Sequence, residues 1–328
     1  MQTLLEKLTG GKFLVVGRAG MDLSPIPAGT KAEDATQMSA HLGGSSANIA
    51  AALTRHGCEA DLVTCVSDDA IGRFCLNQLD HYKIGRDHVR SIGGEYRNTL
   101  AVTESRIEDH QTVIYRNGAA DFQMDKSDID KVDFSRFDAM IVTGTLFASE
   151  PSRTASLYAL EKAKAAGVIC ILDVDYRPYS WESDKQATEI YSQIGPLCDI
   201  VIGNDDEFGF MAGSKDAGQA FAKDLAQRIN GICVYKMGPE GSITYADGCS
   251  FQTGIFKVDA LKPTGAGDAF MGGFLATLVK KGDLQEAVLR GSASAAIVVS
   301  KPGCAPAMPT PDELNAFLNS NHVTSQTA

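Results

Sequence analysis

The sequence contains no long hydrophobic run. No stretch of eighteen apolar residues occurs in the 328-residue chain, although a membrane-spanning helix needs about that length. No N-terminal apolar run follows a basic segment, as it does in a secretory signal peptide. We therefore expect a cytoplasmic protein that is neither embedded in a membrane nor exported.

Paired cysteines and metal-binding histidines are also missing. The eight cysteines are scattered singly with no C-x-x-C pair, which is typical of a reducing compartment where thiols serve as small core residues. The six histidines show no metal-ligand spacing. These patterns argue against a disulfide framework and against a histidine metal site.

Two familiar nucleotide-binding motifs are absent as well. The pattern G-x-x-x-x-G-K-[ST] does not occur, and G-x-G-x-x-G does not follow the first predicted strand. The chain is therefore not a P-loop enzyme, and it lacks the usual dinucleotide-binding fingerprint.

The charge balance is acidic rather than basic. The formal net charge is −11 and the pI is near 5.0, which argues against a general nucleic-acid binder or a protein that binds anionic membranes. Hydrophobic residues make up 44% and charged residues 22%, as in ordinary soluble globular proteins. Such a chain can form one large α/β domain, and we expect a small-molecule partner.

Strands and helices alternate with short loops from residue 138 onward. This pattern, together with a buried first strand at 12–17, predicts a doubly wound α/β sheet. Later strands are predicted at 139–143, 168–173, 199–202 and 232–237, and the helices between them at 150–166, 184–194 and 216–229. Residues 241–258 are predicted to form short antiparallel strands at the sheet edge.

Two earlier segments do not follow this pattern. Residues 99–103 and 112–116 are rich in strand-forming side chains and are joined by a polar turn, which predicts a hairpin. Residues 24–41 are rich in proline, glycine and short polar residues. The segments 20–42 and 97–120 are together predicted to form a discontinuous β lid on a single domain of residues 1–328.

The stretch 263–270, PTGAGDAF, is the strongest candidate for a catalytic site. Gly265, Ala266 and Gly267 form a tight turn that opens a helix, where unpaired backbone N–H groups attract anions. Asp268 lies in the first turn, so its carboxylate can accept a proton from an attacking hydroxyl. The alternative is an ordinary glycine-rich turn in which Asp268 only interacts with the helix dipole.

Other candidate groups follow predicted strands, where open α/β sheets bind ligands. Within residues 173–181, Arg177 can bind a substrate carboxylate with its guanidinium fork. The alternative is a local ion pair between Arg177 and Asp173 or Asp175. Arg116 ends the predicted hairpin, so its guanidinium is expected to face whatever the hairpin covers.

Two further strand ends suggest phosphate and magnesium binding. Asn204 and Glu207 flank Asp205 and Asp206, and three acids at a strand end suit a hydrated Mg²⁺. On these residues alone, however, an acidic helix N-terminus is the favoured explanation. Lys236, Gly238 and Gly241 suit nucleotide phosphates, but that motif alone is weak.

Two adjacent glycines precede the first helix. Gly43 and Gly44 allow a ligand to approach the backbone closely, and Asn48 one turn into the helix offers an amide to a hydroxyl.

Together these motifs resemble the ribokinase (PfkB) family of sugar kinases, in an order and spacing that cover nearly the whole chain. The resemblance implies a Rossmann-like three-layer αβα fold with a small β lid that often mediates dimerisation, ATP as phosphoryl donor, and Mg²⁺. By position, Asp268 is similar to the catalytic base, the 265–267 turn to the anion hole, and Asn204 and Glu207 to the pair that organises Mg²⁺. Asp22, Gly44 and Asn48 resemble the contacts to sugar hydroxyls.

Segments 17–23, 115–121 and 173–181 resemble family members that phosphorylate six-carbon keto-deoxy sugar acids, one of them in bacterial inositol catabolism. Arg116 and Arg177 match arginines that 2-keto-3-deoxygluconate kinases direct at their acid substrate. Because both kinds of acceptor carry a carboxylate, the arginines do not separate them. Kinases of neutral sugars or nucleosides and a non-catalytic sugar sensor are the other possibilities.

One position departs from the family pattern. Many members carry an aspartate three residues before the first glycine of the GAGD motif, where it helps to hold an activating K⁺. Here that position is Lys262. We predict that its ammonium replaces the charge of the ion near the anion hole.

Overall fold

The computed structural model describes residues 2–280 and 282–324. Residues 1, 281 and 325–328 of the predicted single domain lie outside this part. The strands are β1 Lys12–Val16, β2 Gly20–Pro25, β3 Met38–Gly43, β4 Glu59–Ser67, β5 Val89–Ile92, β6 Leu100–Thr103, β7 Thr112–Tyr115, β8 Ala139–Thr143, β9 Ile169–Asp173, β10 Ile200–Asn204, β11 Ile232–Lys236, β12 Ser242–Ala246 and β13 Cys249–Thr253. The helices are α1 Gln2–Lys7, α2 Ser45–Arg55, α3 Ala70–His81, α4 Lys126–Ile129, α5 Ser152–Ala165, α6 Asp184–Ile194, α7 Asp205–Ala212, α8 Gly218–Ile229, α9 Ala266–Val279, α10 Leu284–Val299 and α11 Pro311–Ser320.

Nine strands form the main sheet. Their order is β13-β12-β11-β10-β9-β8-β1-β4-β5. The strands from β11 to β5 pair in parallel, whereas β12 and β13 are antiparallel at one edge. The antiparallel edge that the sequence predicts over 241–258 is therefore confirmed.

Each face of this sheet packs against its own layer of helices. Leu14 and Val16 of β1 belong to a core shared with α5, α6, α7 and α8, while Phe13 and Val15 belong to the opposite core with α2, α3, α9 and α10. Successive side chains of a strand point to opposite faces, and the side chains of β1 that enter both cores are fully buried. The result is a three-layer αβα arrangement.

A second sheet stands apart from the first. Its four strands are ordered β3-β2-β6-β7, with β6 and β7 forming an antiparallel hairpin as predicted. The strands come from the two segments that the sequence assigns to a lid, and we call this sheet the lid sheet. One face of the hairpin, which carries Ala101, Thr103, Thr112 and Ile114, lines a cavity.

Three elements are not predicted from the sequence. Helix α1 has six residues, and helix α4 and strand β5 have four each. Elements this short carry too few residues for a hydrophobic period to stand out.

Across the described residues, we find no helix with the length and apolar character that a bilayer crossing requires.

Candidate active site

A cavity of about 680 Å³ lies between the main sheet and the lid sheet. The last residues of β9, β10 and β11 line this cavity, and they are Asp173, Asn204 and Lys236. The carboxyl ends of neighbouring parallel strands meet at one edge of a sheet, so motifs far apart in sequence converge here. The cavity is the candidate active site.

The 265–267 turn opens helix α9 on the cavity wall. Gly265 precedes the helix with φ of 84°, and no described side chain caps the first turn. A Cβ at Gly265 would lie 2.9 Å from Sγ of Cys304, so both the dihedral angle and the space favour glycine. The uncapped amides of this turn provide a site for an anion.

Asp268 lies in the first turn of α9 beside these amides. Its Oδ2 accepts a hydrogen bond of 3.0 Å from Nδ2 of Asn48, which α2 contributes from 220 positions away. Burial first, and the charge of Asp175 second, raise the pKa of Asp268 to about 6, while the bond from Asn48 acts to lower it. The group is therefore ionised at neutral pH and basic enough to accept a proton.

Asp22 and Gly44 form the neighbouring wall with Asn48. Burial raises the pKa of Asp22 to about 6, against the lowering effect of Arg18 and Lys262. Gly43 ends β3 behind Asp22, and a Cβ at Gly43 would overlap the Asp22 carboxylate. These polar groups can contact the hydroxyls of an acceptor.

Arg177 lines the cavity and is also held by the protein. Its Nη2 lies 2.7 Å from Oδ1 of Asp175, and its Nη1 donates to the carbonyl of Tyr176 at 2.9 Å. Ser45 Oγ donates to the other Asp175 oxygen at 2.6 Å. The sequence analysis gave an ion pair with an aspartate and a ligand-facing guanidinium as alternatives for Arg177. In the structure, Arg177 forms the ion pair with Asp175 and also lines the cavity.

Arg116 occupies a different place from the one expected. Its Nη2 lies 2.5 Å from Oδ2 of Asp121, its Nη1 donates to the carbonyl of Thr145, and its guanidinium carbon lies 4.1 Å from the ring centre of Phe122. Arg116 is 5% exposed and does not belong to the cavity wall formed by the described residues. The expectation that it faces the ligand is corrected, because Asp121 binds it behind the wall.

Arg18 is a cavity residue that the sequence analysis missed. It lies two residues beyond β1, is 6% exposed and lines the cavity. Among the described residues, nothing accepts a hydrogen bond from its Nε or Nη1. Its position after a strand was the available signal, since the other candidate groups follow strands too.

The predicted nucleotide residues also line the cavity. Lys236, Gly238 and Gly241 all line it. A Cβ at Gly267 would lie 3.4 Å from Nζ of Lys236, so this ammonium reaches the anion turn. Phosphates bound at the turn would be within reach of a positive charge.

Asn204 and Glu207 line the cavity and also cap helix α7. Oδ1 of Asn204 accepts from the Glu207 amide at 2.9 Å, and Glu207 Oε2 accepts from the Asn204 amide at 2.7 Å. The helix N-terminus considered as an alternative is thus present.

A magnesium ion fits beside Asn204 and Glu207 only if water and phosphate oxygens complete its coordination. Within the described ranges, no group of three or more His, Cys, Asp and Glu side chains could hold a metal ion. Glu207 already accepts backbone N–H groups on both of its oxygens. Mg²⁺ keeps several waters and binds through one or two carboxylates and phosphate oxygens, which matches this donor set.

Lys262 is buried behind the anion turn. Its Nζ donates to the carbonyls of Thr264 at 2.7 Å and Val298 at 3.2 Å. Burial lowers the pKa of Lys262, while the charges of Cys304, Asp268 and Asp22 act to raise it. The ammonium therefore anchors the backbone that leads into the turn.

Sequence comparisons identify the relatives of this chain. The family model described as pfkB family carbohydrate kinase matches residues 11–311. A 5-dehydro-2-deoxygluconokinase of Photobacterium profundum is 38% identical over 310 residues, which are 93% of this chain and 94% of the relative. A 5-dehydro-2-deoxygluconokinase 1 of Bacillus cereus is 35% identical over 312 residues, with coverages of 93% and 94%.

A solved structure shares the fold. The fructokinase with bound ATP from Xylella fastidiosa superposes with a TM-score of 0.81 at 20% identity, covering 95% of this chain and 99% of that chain. The similarity confirms the predicted three-layer αβα fold class. Because the family model spans most of the sequence, the resemblance inferred from the motifs is confirmed too, and the chain belongs to the pfkB family of carbohydrate kinases.

Proposed function

We propose that this kinase transfers the γ-phosphoryl group of ATP to the terminal hydroxyl of a keto-deoxy sugar acid, and that the acceptor is 5-dehydro-2-deoxygluconate. The relatives named above support this acceptor, and we propose that the enzyme acts in inositol catabolism. The position of Asp268 carries the proposal. Its carboxylate adjoins the anion turn in a cavity that also contains the guanidiniums of Arg18 and Arg177.

In the proposed mechanism, each group of cavity residues has one role. Asn48 holds the Asp268 carboxylate in place. Asp268 accepts the proton of the attacking hydroxyl as the new oxygen–phosphorus bond forms and the bond from the γ-phosphorus to the bridging oxygen breaks, which releases ADP. The amides at 265–267 stabilise the charge on the transferred group, and Lys236 lies beside them. Bound Mg²⁺, organised by Asn204 and Glu207, would offset the charge of the phosphates.

The lid sheet supports this chemistry by covering the cavity. Its hairpin contributes Ala101, Thr103, Thr112 and Ile114 to the wall. Excluding water from the bound nucleotide limits hydrolysis and strengthens the electrostatic interactions around Asp268.

The outer face of the lid sheet supports a homodimer. Val113 and Tyr115 are 45% and 60% exposed on the face opposite the cavity, and Met38 on β3 is 39% exposed. Register places Val113 beside Val102 and Val102 beside Leu23, so the face is a contiguous apolar surface suited to a second copy. Val113→Lys should lower the mass measured by light scattering to that of a monomer, whereas Leu157→Lys, on the exposed side of α5, should leave a dimer.

We also place the enzyme in the cytoplasm. The eight cysteines are free thiols, which is the state that a reducing compartment maintains.

A substrate panel tests the proposed function. Purified protein would be assayed with ATP, Mg²⁺ and four acceptors: 5-dehydro-2-deoxygluconate, 2-keto-3-deoxygluconate, fructose and a nucleoside. We expect the highest kcat/KM with the first acid. A preference for 2-keto-3-deoxygluconate would retain the reaction and change the acceptor, a preference for fructose or the nucleoside would refute an acid acceptor, and binding without turnover would indicate a sensor.

A further inference from the structure

The backbone of Arg18 is fixed from both sides. Its amide donates to Oγ of Ser46 at 3.1 Å, and its carbonyl accepts from the amide of Ala47 at 3.2 Å. These bonds attach the end of β1 to the first turn of α2. The Arg18 side chain therefore starts from a rigid position and extends to the cavity wall.

The guanidinium of Arg18 is buried, and two of its nitrogens have no hydrogen-bond partner among the described residues. Among the described residues, its Nε and Nη1 make no hydrogen bond, and no carboxylate lies within salt-bridge distance. Arg116 and Arg177 instead have Asp121 and Asp175 at 2.5 and 2.7 Å. The charges of Asp22 and Asp175 lie close enough for Arg18 to lower their pKa values, but neither carboxylate accepts a hydrogen bond from Nε or Nη1. Buried N–H donors without an acceptor are costly, so a ligand carboxylate is a suitable acceptor for them.

The surroundings of Arg18 distinguish between two possible anions. A Cβ at Gly44 would lie 3.0 Å from Cγ of Arg18, and Gly44 shares its wall with Asp22 and Asn48. These are the groups assigned to the acceptor. The phosphates of the nucleotide have their own cation in Lys236, beside the anion turn.

We propose that Arg18 binds the carboxylate of the acceptor and makes the enzyme selective for sugar acids over neutral sugars. The inference rests on the proposed function and adds the residue that recognises the acid end. Arg177, oriented by Asp175, also lines the cavity and assists it. Arg116 is a structural residue, because its guanidinium is committed to Asp121, Thr145 and Phe122.

The test compares Arg18→Gln with the wild type in binding experiments. Calorimetry would measure the Kd of 5-dehydro-2-deoxygluconate, of the analogue whose carboxylate is replaced by CH₂OH, and of ADP. We expect the Kd of the acid to rise about 100-fold, the size of a lost charge-assisted hydrogen-bonded pair. The Kd of the neutral analogue and of ADP should change less than about threefold.

Two further variants serve as controls. Arg73→Gln removes one positive charge from an exposed position on α3 and should leave all three Kd values unchanged. Arg18→Lys keeps the charge but loses the planar fork, so it should recover part of the lost acid affinity. If Arg18→Gln does not fold, Arg18→Lys alone should still weaken acid binding without weakening binding of the neutral analogue.

The outcomes separate this inference from the proposed function. Unchanged acid affinity in Arg18→Gln, or equal losses for the acid and the neutral analogue, would refute a carboxylate contact while leaving wild-type kinase activity intact. A loss confined to ADP would assign Arg18 to phosphate. A wild-type protein that phosphorylates neither acid would refute the proposed function, and the binding data would still show whether Arg18 holds a carboxylate.

Discussion

Replacing the proposed base should slow the reaction and stabilise the protein at the same time. Asp268→Asn removes the proton acceptor but keeps an amide oxygen that can accept from Asn48. We expect kcat to fall by roughly 10² to 10⁴-fold with little change in the Kd of acceptor or ATP. The substitution also removes a negative charge that the fold buries beside Asp175.

The expected gain in stability follows from the pKa. Burial raises the pKa of Asp268 from 3.8 to about 6, which corresponds to about 3 kcal/mol of destabilisation at neutral pH. The carboxylate is partly exposed to the cavity, so we expect roughly 2 kcal/mol. In a chain of 328 residues that raises Tm by about 3 °C.

The pH dependence of this gain has a definite sign. The ionised carboxylate destabilises the folded protein above its folded pKa of about 6, and the effect fades as pH falls towards the unfolded value of 3.8. Calorimetric melting of Asp268→Asn and wild type at pH 7.5 and pH 4.5 should therefore show the larger difference at pH 7.5. Asp87→Asn, at an exposed position, is the matched control and should change neither Tm nor kcat. Near-wild-type turnover in Asp268→Asn would remove Asp268 from the mechanism, and an unchanged Tm would refute the expected cost of its burial.

Three more predictions concern the same cavity. The kcat/KM of the wild type should fall about tenfold per pH unit below about pH 6, because protonated Asp268 cannot accept a proton; a profile that stays flat to pH 4.5 contradicts this. Lys262→Met should lower kcat about 10 to 100-fold, because it leaves the carbonyls of Thr264 and Val298 without their charged donor. Replacing Na⁺ by K⁺ in the wild-type assay should not raise turnover. Several-fold activation by K⁺ would refute the role given to the lysine. Gly43→Ala should raise the KM of the acceptor but not of ATP, since its methyl group displaces the Asp22 carboxylate; an equal rise for both would show that the whole cavity had been distorted.

Much of the candidate site could be predicted from short stretches of the sequence. The GAGD turn needs glycine at a positive φ, and an aspartate in the first turn of the helix lies near whatever those amides bind. Strand periodicity placed Asp173, Asn204 and Lys236 at strand ends, and parallel strands bring their ends to one edge. These properties depend on short stretches of chain, so they could be predicted.

The roles of the three arginines could not be predicted in the same way. Arg18, Arg116 and Arg177 each follow a strand, and the sequence pattern does not distinguish them. The structure does. Asp121 binds Arg116 behind the cavity wall, and Asp175 orients Arg177 on that wall. Arg18 lines the cavity, and its Nε and Nη1 have no hydrogen-bond partner among the described side chains. Which aspartate pairs with which arginine depends on how distant segments of the chain pack together. The spacing of these residues along the sequence does not predict the pairing.

The sequence by itself determined the order of the longer strands and helices, the anion turn and its aspartate, because these follow from dihedral preferences and from the spacing of apolar residues. Only the tertiary structure decided that Asn48 meets Asp268 across 220 positions and that a lysine is buried behind the turn. Those contacts form when α2 and α10 pack against α9, and packing of distant segments is a property of the whole fold.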